Sequence, residues 1–181
     1  REHGILMTPA TVLEILDRVA GSCEPFYADL RRQVLLSSNV YADETGQKVQ
    51  GKQWWTWIFT TPLAALFLIR KSRGQTPIEE ALGRNYEGVL NCDGLTSYPK
   101  VVKNVQRCWA HLLREAKWHA EQYEGQAQRL HQELSEIFTK IKQIRERQLL
   151  PWERHAWLRR LKQQMERLIW RAKAYQELRK F

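Results

Sequence analysis

The chain has 181 residues, of which 43% are apolar and 27% are charged, which is typical of a folded protein and excludes a disordered one. No apolar run approaches the roughly 20 residues needed to cross a bilayer, and the first residues do not resemble a signal peptide. The formal net charge is +9, and the larger part of the excess lies in residues 121–181. We therefore expect a soluble, cytoplasmic protein with no membrane contact, whose basic surface either meets phosphates or is simply a solvated helical face.

The first forty residues are predicted to be helical. Thr8 is a candidate N-cap before Pro9, and Gly21 is a candidate stop, so that a second helix would run over about 24–36. Two helices joined by a short turn are compatible with a helix-turn-helix motif, but no residue marks a recognition helix. The pattern favours packing or dimerisation.

The pattern changes to strands from Val40 onward. A short strand over Val40–Ala42 should be followed by a glycine-bearing hairpin, the aromatic run "WWTWIFTT" and a third strand in "AALFLIRKS". Helical and strand patterns then alternate up to about residue 120, in the order β-β-β-α-β-α-β-α. This order predicts an α/β fold with a mixed five-stranded sheet and flanking helices.

The last third of the chain is predicted to be a basic helical hairpin. Apolar residues recur every three or four positions from about His111 to Arg147 and again from Trp152 to Tyr175, with Pro151 between the two runs. Two long amphipathic helices should therefore pack antiparallel. We predict three segments: N-terminal helices over 1–38, a central α/β domain over 39–120 and the helical hairpin over 121–181.

Two aspartates stand at the expected ends of strands. Asp43 follows the first predicted strand and Asp93 follows the fourth. If these strands are parallel neighbours, both carboxylates emerge at the same edge of the sheet, and a divalent Mg²⁺ or Mn²⁺ between them would offset their repulsion. The alternative is that Asp93, which precedes Gly94, simply forms a turn.

Three stretches of sequence carry a resemblance to a known family. "YADETGQKVQGKQWWTWIF", "IRKSRGQTPIEEALGRNYEGVLNCDGLTSY" and "VQRCWAHLLREAK" resemble the central region of DDE transposases of the insertion-sequence-66 type, over residues 8 to about 120. The resemblance implies a ribonuclease-H-like fold in which Asp43 and Asp93 are the first two catalytic, metal-binding acids. It also implies Mg²⁺ or Mn²⁺ as cofactor, transposon-end and target DNA as partners, a homo-oligomer, a bacterial or archaeal source, and DNA cleavage with strand transfer.

The chain departs from this family in one respect. Such enzymes need a third acid, a Glu in an Asp-Asn-Asn-x-x-Glu-Arg motif beyond a helical insertion, and the motif does not occur in the sequence. Glu115, Glu166 and Glu177 lie on predicted helices without that motif and are interpreted as solvated residues. We therefore expect a truncated transposase that is inactive alone, without a complete two-metal site; the alternative is a non-catalytic DNA-binding or oligomerisation fragment.

Several other side chains are candidates for binding. Arg73 and Arg114 could contact DNA phosphates, and His111 could contact a phosphate or the metal cluster. Cys108 and His111 in "CWAH", with Cys92, leave a zinc site open as a weaker alternative, because structural zinc needs four ligands. The three cysteines, which include Cys23, are odd in number and widely spaced, which excludes a disulfide framework and agrees with a reducing compartment.

Neighbouring side chains in the first two strands should face opposite sides of the sheet. Glu44 is therefore expected to point away from Asp43. Trp54, Trp55 and Trp57 cannot all share one face, so that one face should be covered by helices while the other meets a partner or DNA. Core packing is the favoured interpretation for these tryptophans.

Overall fold

The structure is a computed structural model and describes residues 7–173. It contains two compact units, Arg1–Gln106 and Arg107–Phe181. Tyr175 and Glu177 lie outside the described residues. The three-segment division at residues 38 and 120 stays a prediction.

The first unit is built on a mixed sheet. Its elements in chain order are α1 (Pro9–Leu36), β1 (Asn39–Val49), β2 (Lys52–Thr60), β3 (Ala65–Arg70), α2 (Thr76–Leu82), β4 (Val89–Cys92), α3 (Tyr98–Val101) and β5 (Val105–Arg107), the last residue of which belongs to the second unit. The five strands lie in the order β3-β2-β1-β4-β5, with β1–β2 and β2–β3 antiparallel and β1–β4 parallel. This confirms the predicted α/β class and element order, and it is consistent with a ribonuclease-H-like fold.

The core of the first unit lies on one face of the sheet. Trp57 and Phe59 of β2 are fully buried there, together with Val34 of α1 and Ile78 of α2. Burying a side chain of this size stabilises the fold by about 1.5–3 kcal/mol. Buried and half-buried residues alternate from Thr56 to Thr60, and Trp55 packs against the core while Trp54 packs against Lys71, so that the tryptophans divide between two faces as predicted.

The prediction of two N-terminal helices was wrong. A single helix, α1, runs from Pro9 to Leu36, with Thr8 as its N-cap, and it contains both Gly21 and Pro25. Pro25 has no backbone N–H, so that the hydrogen bond to the Gly21 carbonyl is missing, but the helix continues on both sides of it. Gly21 therefore does not end the helix, and the helix-turn-helix interpretation is wrong as well.

The first strand is longer than predicted. Because β2 pairs with β1 from Tyr41↔Thr60 to Val49↔Lys52, Asp43 lies inside the strand and not at its end. The hairpin turn is formed by Gln50 and Gly51, which both have positive φ, 51° and 75°, as a two-residue turn with a primed geometry requires. The predicted glycine-bearing hairpin is confirmed.

The second unit is helical. It comprises α4 (Trp109–Gln122), α5 (Gln126–Glu146) and α6 (Pro151–Lys173). The predicted continuous helix from about His111 to Arg147 is wrong. α4 ends at Gln122, where Tyr123 is extended with φ −131° and ψ 126°, and α5 begins after Gly125, whose φ of 75° is left-handed.

The apolar stripes of the second unit pack against each other. Leu130, Leu134 and Ile137 of α5 are buried with Leu161 and Leu168 of α6. Arg171 near the end of α6 forms an ion pair with Glu133 near the start of α5, as expected for antiparallel helices. The predicted C-terminal helical hairpin is confirmed. Among residues 7–173, no helix combines the length and apolar character of a membrane span.

Candidate metal centre

Asp43 and Asp93 are brought to the same level of the sheet by strand pairing. β1 and β4 are parallel neighbours, and Tyr41 is the pairing partner of Asn91. Each aspartate lies two residues beyond one of these partners, Asp43 within β1 and Asp93 directly after β4. The condition for bringing the two aspartates together, that their strands are parallel neighbours, is therefore met, although β1 continues past Asp43 while β4 ends at Cys92.

Short backbone contacts orient the two aspartates. Asp93 Oδ1 accepts a hydrogen bond from the backbone N–H of Leu95 at 2.8 Å, and Asp43 Oδ1 accepts one from the N–H of Glu44 at 3.0 Å. Asp43 lies on the exposed face of the sheet, and Asp93 is half-buried. Each carboxylate keeps a second oxygen that is available to a ligand.

Glu44 joins these two acids, which the sequence alone did not predict. Val40, Ala42 and Glu44 alternate with exposed residues, as expected for a strand, so that the Glu44 side chain points to the core side and is only 1% exposed. Nevertheless, single carboxylate oxygens of Asp43, Glu44 and Asp93 lie within 4.8 Å of one another. The prediction that Glu44 and Asp43 face opposite sides of the sheet is correct. The three acids nevertheless come together because the Glu44 side chain is long and β4 no longer pairs with β1 at this position.

The buried Glu44 carboxylate is held by two donors. The Tyr98 hydroxyl donates to Oε2 at 2.7 Å, and the Arg73 guanidinium donates to Oε1 at 2.9 and 3.1 Å. Desolvation raises the pKa of Glu44, the two hydrogen bonds oppose the rise, and the nearby Asp93 charge adds to it. Burial, reinforced by Glu44, also raises the pKa of Tyr98, so that its hydroxyl remains a donor at ordinary pH.

Arg73 and Tyr98 are in turn fixed by neighbouring side chains. The Arg73 guanidinium stacks over the Trp55 ring at 4.4 Å, and its backbone carbonyl accepts from the Ser97 hydroxyl at 3.3 Å. The Tyr98 ring packs edge-on against Trp57, with ring centres 6.0 Å apart. The segment that carries Asp93 is thereby tied to β1 and β2.

The donor chemistry of this acid group suits a hard divalent cation. Mg²⁺ and Mn²⁺ prefer a few carboxylate oxygens, with water and substrate phosphate completing the coordination. The side chains of Asp43 and Asp93 offer such oxygens from converging positions, while both Glu44 oxygens are already engaged by Tyr98 and Arg73. The residues therefore fit a metal ion held by the two aspartates, with Glu44 beside it.

A sequence model of the Transposase IS66 family matches residues 1–180. The chain belongs to the IS66 transposase family. No match was found among curated proteins or among solved structures. The family establishes a role in DNA transposition, which requires contact with DNA, and it implies a divalent metal.

Glu115 and Glu166, the two acids named from the sequence of this IS66 transposase that lie among the described residues, do not join the acid group. Glu115 of α4 forms an ion pair with Arg107 at 2.7 Å, and Glu166 of α6 lies 4.0 Å from Lys162. Within residues 7–173, the acid group of Asp43, Glu44 and Asp93 is the one cluster with the spacing of a metal site. The cysteines and His111 belong to no such cluster in that range, so that nothing supports the zinc alternative.

The three predicted DNA-contacting residues lie in different surroundings. Arg73 borders the acid group but is already engaged by Glu44, with 47% of its side chain exposed. His111 and Arg114 lie on α4 in the second unit, where Arg114 is exposed and the Nδ1 atom of His111 is buried without a partner among the described residues. DNA contact by these three residues stays a prediction.

Proposed function

We propose that this chain carries part of the catalytic centre of a transposase that cleaves DNA phosphodiester bonds and joins DNA strands with the help of Mg²⁺ or Mn²⁺. The observation that carries the proposal is the register of β1 and β4, which sets Asp43 and Asp93 side by side. In this proposal, the two aspartates hold the metal, and the buried Glu44 keeps them in place through Arg73 and Tyr98.

A bound divalent ion supplies Lewis-acid stabilisation of the charge that develops on the phosphate oxygens. The residues of the chain contribute position and charge. Asp43 opens on the exposed face of the sheet, where a DNA phosphate has access, and the Leu95 N–H orients Asp93. The proposal includes inactivity of the chain alone, because the described residues offer no further acid on a helix beside the aspartates.

Metal titration tests the proposal. We expect Mn²⁺ binding to the intact chain in calorimetry, and a loss of about 100-fold or more in affinity for Asp43→Asn and for Asp93→Asn, since each removes one charged ligand. The matched control is Asp17→Asn, which removes an exposed acid from α1. Unchanged Mn²⁺ affinity in both aspartate variants would refute the metal centre and favour the alternative, a non-catalytic DNA-binding or oligomerisation fragment.

We also propose that the chain self-associates through α1. Leu13, Leu16 and Val19 of this helix are 61%, 57% and 55% exposed, which leaves an apolar surface available to a second copy. We expect sedimentation velocity to show a dimer or a larger species, and Leu16→Glu to shift it toward the monomer. A monomer at all concentrations for the parent chain would refute this part of the proposal.

A further inference from the structure

The β1–β2 hairpin projects beyond the rest of the sheet. β4 pairs with β1 only over Asn39–Tyr41, and β3 pairs with β2 only as far as Trp55. Residues 46–54, around the turn at Gln50 and Gly51, therefore pair only with each other, and most of them are exposed. This two-stranded arm begins directly beside the acid group.

All the charged residues of the arm, and of the segment that follows it up to Glu79, are basic. No Asp or Glu occurs between Glu44 and Glu79, whereas five cations occur in that stretch. Arg70 is paired with Glu80, and Arg73 with Glu44. The remaining three, Lys48, Lys52 and Lys71, are exposed and form no ion pair with a described residue.

One face of the arm lies on the same side of the sheet as the Asp43 side chain. Gln47 lies four residues after Asp43, on the same side of the strand, and Trp54 is its pairing partner. Lys71 Nζ is positioned over the Trp54 ring at 5.1 Å from its centre. At about 3.3 Å per residue, this cation site lies about 13 Å along the strand from Asp43, which is the axial length of about four stacked nucleotides.

We propose that this basic hairpin arm, residues 46–54 with Lys71, binds the DNA backbone next to the phosphate that is cut. The inference rests on the proposed function, since it assumes that DNA is cut at the acid group and that the arm binds the DNA beside the cut. Charge complementarity identifies the occupant: unpaired lysines on a stretch without acids bind phosphates, and Trp54 holds Lys71 in a fixed orientation.

Salt-dependent DNA binding tests the arm. The triple variant Lys48→Gln, Lys52→Gln and Lys71→Gln is compared with a control triple that removes three exposed cations elsewhere in the first unit, Arg18→Gln, Arg84→Gln and Lys103→Gln. Both lose the same net charge. Duplex binding by the full chain is measured in EDTA at several salt concentrations, so that the result does not depend on the metal.

We expect the arm variant to bind at least roughly tenfold more weakly at low salt, and its slope of log affinity against log salt to fall by about 3, one for each lost phosphate contact. The control variant should change the slope by less than about 1. Equal changes in the two variants would overturn the proposal and assign DNA binding to other surfaces of the chain.

Lysine acetylation of the unmodified chain provides a second measurement that does not require a variant to fold. Bound DNA should protect Lys48, Lys52 and Lys71 from acetylation, as detected by mass spectrometry, while Lys103 stays reactive. Equal reactivity of the arm lysines with and without DNA would overturn the proposal. If the aspartate variants keep their Mn²⁺ affinity while the arm is protected, the metal centre is refuted and the arm is supported. If the aspartate variants lose Mn²⁺ affinity while the arm is unprotected, the arm is refuted and the metal centre is supported.

Discussion

The two compact units place their charged residues by different means. In the first unit, Asp43 and Asp93 are 50 positions apart in the chain and meet because β1 and β4 pair in one register. In the second unit, charge and burial follow the helical repeat, with Leu130, Leu134 and Ile137 inside and the basic residues outside. The acid group therefore depends on long-range pairing, whereas the basic helical surface depends on local periodicity.

We expect substitutions in the hydrophobic cores of the two units to have the largest effects on stability. Trp57→Ala should destabilise the first unit by about 3–5 kcal/mol and abolish Mn²⁺ binding, because the ring packs on Tyr98 and its Nε1 donates to the Ser72 carbonyl at 3.2 Å. Leu134→Ala should cost about 2–5 kcal/mol in the second unit and leave Mn²⁺ binding intact. Urea unfolding and calorimetry measure the two effects. Loss of metal binding in Leu134→Ala would contradict the independence of the acid group from the helical core.

A smaller effect should follow from the support of the acid group. Glu44→Gln removes the charge that Arg73 and Tyr98 hold, and should lower Mn²⁺ affinity by about 10-fold, since residues that orient metal ligands commonly contribute 10–100-fold. Tyr98→Phe should lower it through the same contact, so that the double variant loses less than the two losses combined.

Calorimetry on these variants is compared with Glu79→Gln, which removes an acid that pairs with Arg84 at the surface. Unchanged affinity in Glu44→Gln would show that Glu44 has a stabilising role only. A loss as large as in Asp43→Asn would show that Glu44 is itself a metal ligand.

The pH dependence of stability gives a further test of the buried Glu44. Its raised pKa means that the folded state holds the Glu44 proton at a pH where the unfolded chain releases it. Its stabilising contribution is therefore complete below the ordinary glutamate pKa and is lost as pH rises through the raised value. In EDTA, the free energy of unfolding of the parent minus that of Glu44→Gln should fall as pH rises above about 4.5. A difference that grows with pH would show that the Arg73 and Tyr98 hydrogen bonds outweigh desolvation.

The smallest expected effect concerns the hairpin turn. Gly51→Ala should destabilise the first unit by about 1 kcal/mol, because its φ of 75° is strained for alanine even though no atom lies within 4 Å of the added methyl group. Gly21→Ala has equally open space but lies in α1, and should stabilise it by about 0.5–1 kcal/mol. Thermal unfolding of the two variants should shift in opposite directions; shifts in the same direction would contradict the turn geometry.

The order of elements from Val40 onward could be predicted from the sequence, because strand alternation, glycine and proline act locally. The sequence also singled out Asp43 and Asp93 as candidate metal ligands, although Asp43 lies within β1 and not at the strand end where it was expected. It did not locate the true limits of α1 and β1. Gly21 and Asp43 carry local signals to stop, but Pro25 is accommodated within a continuous helix and β2 pairs along the whole of β1 from Tyr41 onward.

The position of Glu44 beside the two aspartates depends on tertiary contacts. Strand alternation correctly turns its side chain toward the core, but the contacts that bring its carboxylate back to the acid group come from Arg73 and Tyr98, 29 and 54 residues away. The projection of the basic hairpin was likewise decided by where β3 and β4 stop pairing. Local patterns specify which face a side chain takes, whereas the neighbours it meets there depend on pairings between distant segments.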